Sequence, residues 1–159
     1  ALDIDVRAGK DFPEDLTSYA LVVQCGGCTV TRKQILVRQY RYPIDAVTLE
    51  VPAGKLDAPD EDPLVCAERE LSEETGYTAE HITKLTTIAT TVGFSNEKIH
   101  LYVAEGLTPG KQHTDEDEFI NVVKVPLAEA VAMATDGRIV DAKSVISILM
   151  LAAQQKAAK

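Results

Sequence analysis

The sequence predicts an α/β fold in which a mixed β-sheet is sandwiched between α-helices. Short β-prone segments are mixed with segments of helical periodicity, as expected for such a layered domain. The chain has 159 residues, which is enough for one domain with a core, and it shows no repeats or low-complexity segments. We therefore expect residues 1–159 to form a single domain, with residues 1–16 as a short N-terminal arm.

Strands are predicted where apolar and β-branched residues cluster between polar turns. The predicted strands cover residues 19–25, 28–32, 35–40, 47–51, 82–91, 99–104 and 119–125. Residues 31–34 are predicted to form a polar turn, and residues 92–97 are predicted to form a loop. A second loop is predicted at residues 109–118, and it ends in four consecutive acids.

Three helices are predicted from apolar periodicity and from signals at helix ends. They cover residues 63–75, 127–135 and 144–156. In the first helix, Asp62 is a candidate N-cap, Pro63 fits the first helical position and Gly76 fits the C′ position. The second helix is expected to stop at Gly137, and the third carries apolar residues along one side.

The helix predicted at residues 63–75 carries an acidic stripe. At about 100° per residue, Glu70, Glu73 and Glu74 project along one side of it. Arg69 lies four residues before Glu73 and can pair with it. Like charges at this spacing repel each other, so the helix needs a compensating cation, and Mg²⁺ prefers carboxylate oxygens. Spacing alone does not separate a metal site from the alternative, a solvated acidic face.

The composition limits the classes of partner and the cellular compartment. A formal net charge of −9 argues against nucleic acid or an anionic membrane as the main partner. No apolar run approaches the length of a membrane span and no basic-then-apolar leader opens the chain, so we expect a cytoplasmic protein. Cys25, Cys28 and Cys66 do not make a disulfide framework, and we interpret the CxxC pair as structural rather than as a zinc site.

The stretch of residues 54–77 resembles the signature of the Nudix hydrolases, G-x5-E-x7-R-E-U-x-E-E-x-G-U, where U is a bulky apolar residue. In this chain the matching residues are Gly54, Glu61, Arg69, Glu70, Leu71, Glu73, Glu74, Gly76 and Tyr77. Six residues rather than five follow Gly54 before Glu61. Counting forward therefore reaches Asp60 as the first acid, and counting back from Arg69 reaches Glu61, so both stay open. The resemblance implies the Nudix fold and a hydrolase that uses Mg²⁺, with Mn²⁺ as a substitute.

Segments outside the signature are similar to the ADP-ribose pyrophosphatase branch of that family. They are residues 35–43, 50–54, 93–99, 115–120 and 137–144. This resemblance implies a homodimer that hydrolyses the diphosphate of ADP-ribose to AMP and ribose 5-phosphate. The alternatives are a pyrophosphatase for another nucleoside diphosphate sugar or linked nucleotide, and a non-catalytic module that binds ADP-ribose.

The same resemblance implies roles for individual residues. The implied metal ligands are Ala53 through its backbone carbonyl, Glu70, Glu73, Glu74 and Glu118. The implied catalytic residues are Arg69, Glu73 and Glu116. Glu116 is the candidate base that orients the attacking water, Glu118 is its rival, and an exposed acidic loop is the alternative. The candidate substrate-binding residues are Arg41, whose fork matches phosphate oxygens, Phe94 and Glu97.

Overall fold

The structure, a computed structural model, describes residues 33–58, 60–114 and 119–157. In that part of the chain the strands are β1 (Lys33–Arg41), β2 (Ala46–Glu50), β3 (Tyr77–Thr78), β4 (His81–Ala89), β5 (Lys98–Glu105), β6 (Thr108–Pro109) and β7 (Asn121–Pro126). The helices are α1 (Pro63–Thr75), α2 (Leu127–Asp136) and α3 (Ala142–Ala157), and a single 3-10 turn joins β1 to β2. The predicted α/β class is confirmed.

Strand β1 is the centre of a three-stranded sheet with the order β2-β1-β7. Both pairings are antiparallel, and Val37 of β1 lies opposite Glu50 on one side and Val122 on the other. Strands β4 and β5 form a separate antiparallel pair with a bulge between Lys84 and Thr86. The two-residue strands β3 and β6 also pair with each other. Strand β2 ends at Glu50, and three further residues lead from the sheet to Gly54, where the predicted signature begins.

The main core lies where the three-stranded sheet packs against α2 and α3. Its buried members are Leu36, Leu49, Val125, Ala130, Ile139 and Ile148. They come from all three strands, from both helices and from the loop that joins the helices. Burying each large apolar side chain stabilises the fold by roughly 1.5–3 kcal/mol relative to exposure. The sheet and α3 are therefore held together, which brings charged groups of the two elements close to each other.

The predicted strand and helix boundaries in the described residues agree with the structure to within two residues, and two assignments need correction. The predicted turn at 31–34 is wrong for its second half, because Lys33 and Gln34 already pair with β7. The strand predicted at 119–125 begins only at Asn121, and Phe119 is exposed. The first strands predicted, the arm and the CxxC pair lie outside the described residues. No described helix combines the length and the apolar character needed to span a membrane.

Candidate active site

Helix α1 begins and ends where its sequence signals predict. The Asp62 carboxylate accepts a hydrogen bond from the backbone N–H of Leu64 at 2.8 Å, and Pro63 follows it as the first helical residue. Gly76 ends the helix in a left-handed conformation with φ of 73°, and its N–H donates to the carbonyl of Ser72. Both ends of the helix are thus closed by local groups, which sets the direction in which its acidic stripe projects.

Gly76 is also the place where a later loop touches the helix. The N–H of Gly110 donates to the carbonyl of Gly76 at 2.6 Å, and the N–H of His113 donates to the carbonyl of Glu73 at 2.9 Å. A Cβ at Gly76 would lie only 2.7 Å from the backbone nitrogen of Gln112. Glycine is therefore required here both for its conformation and for the close approach of the loop.

The side chain of Gln112 ties two further points of the chain to the same helix end. Its Nε2 donates to the carbonyl of Glu74 at 2.8 Å and to the carbonyl of Ile120 at 3.1 Å. Described residues on both sides of positions 115–118 are thus held at the last turn of α1. The predicted base Glu116 and the predicted ligand Glu118 lie outside the described residues, and their roles stay predictions.

Arg69 is the positive centre of the acidic stripe. Its Nη1 donates to Glu70 at 2.8 Å and to Glu73 at 3.0 Å, which confirms the predicted pairing with Glu73. Its Nη2 donates to the carbonyl of Lys55 at 3.0 Å and lies 3.3 Å from the carboxylate of Asp57. Burial by itself would lower the pKa of Arg69, but Glu70 and Glu73 outweigh it and raise the pKa above its usual value. Arg69 therefore stays charged and offsets the repulsion between the glutamates.

Of the two candidates for the first signature acid, Glu61 is the one that faces Arg69. A Glu61 oxygen lies 3.6 Å from Arg69 Nε, and its other oxygen accepts from the N–H of Asp57 at 2.6 Å. Asp60 is exposed. Within the described part of the chain, Nε of Arg69 is buried without a hydrogen-bond partner, since 3.6 Å is too long for one. Counting back from Arg69 thus identifies the acid that contacts it.

The carboxylates of Glu70 and Glu74 meet the turn that leads from β2 into the signature. A Cβ placed on Gly54 would lie 1.8 Å from an oxygen of Glu70, so only glycine leaves room for this carboxylate. Glu74 is 3% exposed and accepts a hydrogen bond from the N–H of Ala53 at 2.9 Å. The structure thus brings Ala53, Gly54, Glu70 and Glu74 together. The carboxylate of Glu73 is more exposed and lies on the Arg69 side.

The donor atoms at this place suit a hard divalent cation. Glu70, Glu73 and Glu74 offer only carboxylate oxygens, the donor type that Mg²⁺ selects, and the gap kept open by Gly54 admits one of them. In the described residues, however, no three acids, histidines or cysteines are already arranged as a metal site. The cation that bridges Glu70 and Glu73 is Arg69. The predicted ligand Glu118 is not among the described residues.

Arg41 is held by the buried carboxylate of Glu50, the first residue of the segment 50–54, to which the sequence analysis gave no role of its own. The register of β1 and β2 places Arg41, Thr48 and Glu50 on one face of the sheet. Arg41 donates from Nε and Nη2 to the two oxygens of Glu50 at 2.7 and 2.8 Å. Thr48 donates to Glu50 at 2.6 Å, and Lys143 donates to it at 2.5 Å from the start of α3.

The environment of Glu50 keeps it ionised. Burial by itself would raise the pKa of Glu50, but hydrogen bonds from Arg41, Lys143 and Thr48 outweigh burial and lower the pKa to about 2. A cavity of about 460 Å³ opens beside these groups. Its lining residues are Arg41, Pro43, Ile44, Thr48, Glu50, Val140, Asp141, Ala142 and Lys143. A lone glutamate at the end of β2, between Leu49 and Val51, was the available signal for this cluster. Nothing local in the sequence connected it to Lys143.

Phe94 and Glu97 lie in the loop between β4 and β5, as predicted. Phe94 is 89% exposed, and Glu97 is exposed as well. The backbone N–H of Glu97 donates to the hydroxyl of Ser95 at 3.1 Å, which shapes the loop locally. Their expected contacts with substrate stay predictions.

Comparison with known proteins places this geometry in a family. A family model described as the NUDIX domain matches residues 23–146. The chain is 39% identical over 155 residues to the methanol dehydrogenase activator of Bacillus methanolicus, covering 96% of this chain and 83% of that protein. It is 37% identical over 151 residues to the ADP-ribose pyrophosphatase of Bacillus subtilis (strain 168), covering 94% of this chain and 81% of that protein.

A solved structure is also similar to this one. It is described as an ADP compounds hydrolase, and the comparison has a TM-score of 0.69 at 25% sequence identity. It covers 79% of this chain and 68% of that chain. The signature helix, its glutamates and the glycine turn beside them lie inside the matched family segment. The chain belongs to the NUDIX family.

Proposed function

We propose that this protein hydrolyses the diphosphate bond of ADP-ribose to AMP and ribose 5-phosphate with the help of Mg²⁺, for which Mn²⁺ can substitute. The observation that carries the proposal is the convergence of Glu70 and Glu74 on the turn at Ala53 and Gly54. The relative from Bacillus subtilis, named ADP-ribose pyrophosphatase, supports the choice of substrate. A module that only binds ADP-ribose is disfavoured, because such modules typically lack signature acids and this chain keeps them.

The residues that would hold the cation are Glu70, Glu73, Glu74 and the carbonyl of Ala53, with Glu118 added by the resemblance. When bound, the cation withdraws negative charge from the diphosphate oxygens and makes water a stronger nucleophile near neutral pH. Glu116 is our candidate for the base that accepts a proton from that water. The attachment of Gln112 and His113 to the end of α1 supports a loop that begins close to the glutamates.

The remaining groups of the site hold the acids in position before substrate arrives. Arg69 fixes Glu70 and Glu73 by direct hydrogen bonds, and the N–H of Ala53 fixes Glu74. Groups oriented in advance lose little freedom when the substrate binds, which lowers the barrier to reaction. We assign Arg41 as a ligand of a substrate phosphate, and its position at the border of the open cavity supports this role. The homodimer and the cytoplasmic location implied by the resemblance stay predictions, and light scattering of the purified chain tests the first.

The test is turnover of a panel of nucleoside diphosphate sugars and linked nucleotides, with each product identified. We expect ADP-ribose to give AMP and ribose 5-phosphate with the highest kcat/KM in Mg²⁺, and turnover to stop in excess chelator. Preference for another nucleoside diphosphate sugar, such as GDP-mannose, would change the proposed substrate but not the proposed reaction. Binding of ADP-ribose without hydrolysis of any compound in the panel would contradict the proposal that this protein is an enzyme.

A pair of variants on α1 tests the site directly. Glu70→Gln keeps the shape of the side chain and removes one charge from the turn at Gly54. We expect it to lower turnover by roughly 10²-fold or more, with partial rescue as Mg²⁺ is raised. Glu68→Gln makes the same chemical change on an exposed part of the same helix and should match the wild type. Equal activity of both variants would exclude the proposed role of Glu70.

A further inference from the structure

Glu50 is an unusual carboxylate, because it is 2% exposed and is contacted by two cations from distant parts of the chain. One of its oxygens accepts from both Arg41 and Lys143, and the other accepts from Arg41 and Thr48. Arg41 lies nine residues before Glu50, on the other side of the β1–β2 turn, whereas Lys143 lies 93 residues after it. A single cation would already neutralise the charge of Glu50, so the second needs an explanation.

The exposure of the two cations differs in a way that separates their roles. The Lys143 side chain is 11% exposed and also contacts Asp141 at 3.0 Å, so it is enclosed by acids. The Arg41 side chain is 40% exposed and borders the cavity. Glu50 uses the Nε and Nη2 donors of Arg41, and the guanidinium has a further donor group at Nη1. Arg41 can therefore face a ligand, whereas Lys143 pairs with Glu50 and Asp141.

The charges around the cavity balance only because Lys143 is present. Arg41 and Lys143 contribute two positive charges, and Glu50 and Asp141 contribute two negative charges. Without the charge of Lys143 the four positions would carry a net charge of about −1. Glu50 is three residues from Ala53, so the cluster lies within about 10 Å of the glutamate site along the backbone. A diphosphate bound there would meet this excess negative charge.

We propose that Lys143 is a positioning residue for substrate binding: it offsets the negative charge of Glu50 and Asp141 so that Arg41 remains able to bind a substrate phosphate. The inference rests on the proposed function, because it takes the substrate to be a diphosphate. The Lys143 ammonium is engaged by Glu50 and Asp141, so we expect its loss to raise KM and to leave kcat nearly unchanged. An arginine at this position keeps the charge and preserves the effect.

The experiment compares steady-state kinetics on ADP-ribose and thermal unfolding for a small set of variants. Lys143→Met should raise KM by roughly tenfold with kcat within about twofold of the wild type. Lys143→Arg should have a KM within about threefold of the wild-type value. Arg138→Met removes a positive charge five residues away, where Arg138 pairs with exposed Asp136, and should leave KM unchanged.

A second substitution separates an effect of charge from an effect of packing. Asp141→Asn added to Lys143→Met restores neutrality, and asparagine can still cap α3 as Asp141 does through the N–H of Ser144. We expect the double variant to recover most of the lost affinity, even if its Tm stays low. A double variant with KM no lower than that of Lys143→Met would overturn the inference. An unchanged KM in Lys143→Met, or a loss confined to Tm, would overturn it too. Failure of the wild type to hydrolyse ADP-ribose refutes the proposed function instead.

Discussion

Single residues of the candidate site matter either because they are small enough to leave room for a neighbour or because they carry a charge. Gly54 carries no side chain because the Glu70 carboxylate occupies the position of a Cβ. Arg69 contacts carboxylates from both the loop and the helix, which a point charge on a lysine could not do with the same geometry. The glycine and the arginine of the signature therefore both bear on the position of the same glutamate, Glu70.

This packing predicts the consequence of Gly54→Ala. The new methyl group would displace the carboxylate end of Glu70, which is a flexible group, so we expect the fold to persist with only a small change in Tm. A catalytic group displaced by about 1 Å can cost roughly 10²-fold in rate, so with Glu70 as the proposed metal ligand we expect a loss of that order in kcat/KM. Gly93→Ala is the control, since nothing lies within 4 Å of a Cβ there. Full activity of Gly54→Ala would mean that Glu70 need not occupy this position.

At the scale of elements, local sequence signals predicted the ends of α1 correctly. They did not predict pairings between residues that are distant in the chain. Asp62, Pro63 and Gly76 act within one turn of the helix, so their effect can be read from adjacent residues. The start of β1 at Lys33 depends on Pro126 across the sheet, and polar residues there resembled a turn.

In the candidate site, too, contacts between neighbouring residues were predictable from the sequence and contacts between distant residues were not. The signature glutamates share one helix, so periodicity alone placed them on one side. The contact between Glu50 and Lys143, and that between Gln112 and α1, join residues far apart in the chain. Such contacts depend on how the elements pack, and a single sequence does not state that packing.

The glycine at the end of α1 gives a prediction that separates the cost of a left-handed backbone conformation from the cost of a steric clash. Gly76→Ala must adopt a left-handed conformation and also meets backbone atoms of Lys111 and Gln112 within 3 Å. Gly137→Ala at the end of α2 has a similar positive φ, but nothing lies within 4 Å of its Cβ. We expect Gly137→Ala to cost roughly 1–2 kcal/mol of unfolding free energy, and Gly76→Ala to cost clearly more. Urea unfolding measures both, and equal losses would show that the loop at 110–113 does not press on the helix.

At the scale of the whole molecule, Glu50 links the sheet to α3, and its titration should affect the stability of the entire described domain. Its pKa is lowered from 4.5 to about 2 by Arg41, Lys143 and Thr48, which outweigh the opposite effect of burial. A lowered pKa means that folding favours the charged form. The stabilisation is therefore complete above about pH 4.5, and it is lost as the pH falls towards 2.

The prediction is a stability gap between wild type and Glu50→Gln that depends on pH. At pH 7 the variant leaves two cations without their shared carboxylate, and we expect it to be less stable by roughly 3 kcal/mol. The gap should shrink as the pH falls from 4.5 towards 2, because protonated Glu50 comes to resemble glutamine. Asp136→Asn, which disrupts an exposed pair with Arg138, should change stability little at any pH, since solvent screens that pair. Urea unfolding at pH 7, 5 and 3.5 measures the gap, and a gap that stays constant would show that Glu50 is not held as a buried anion.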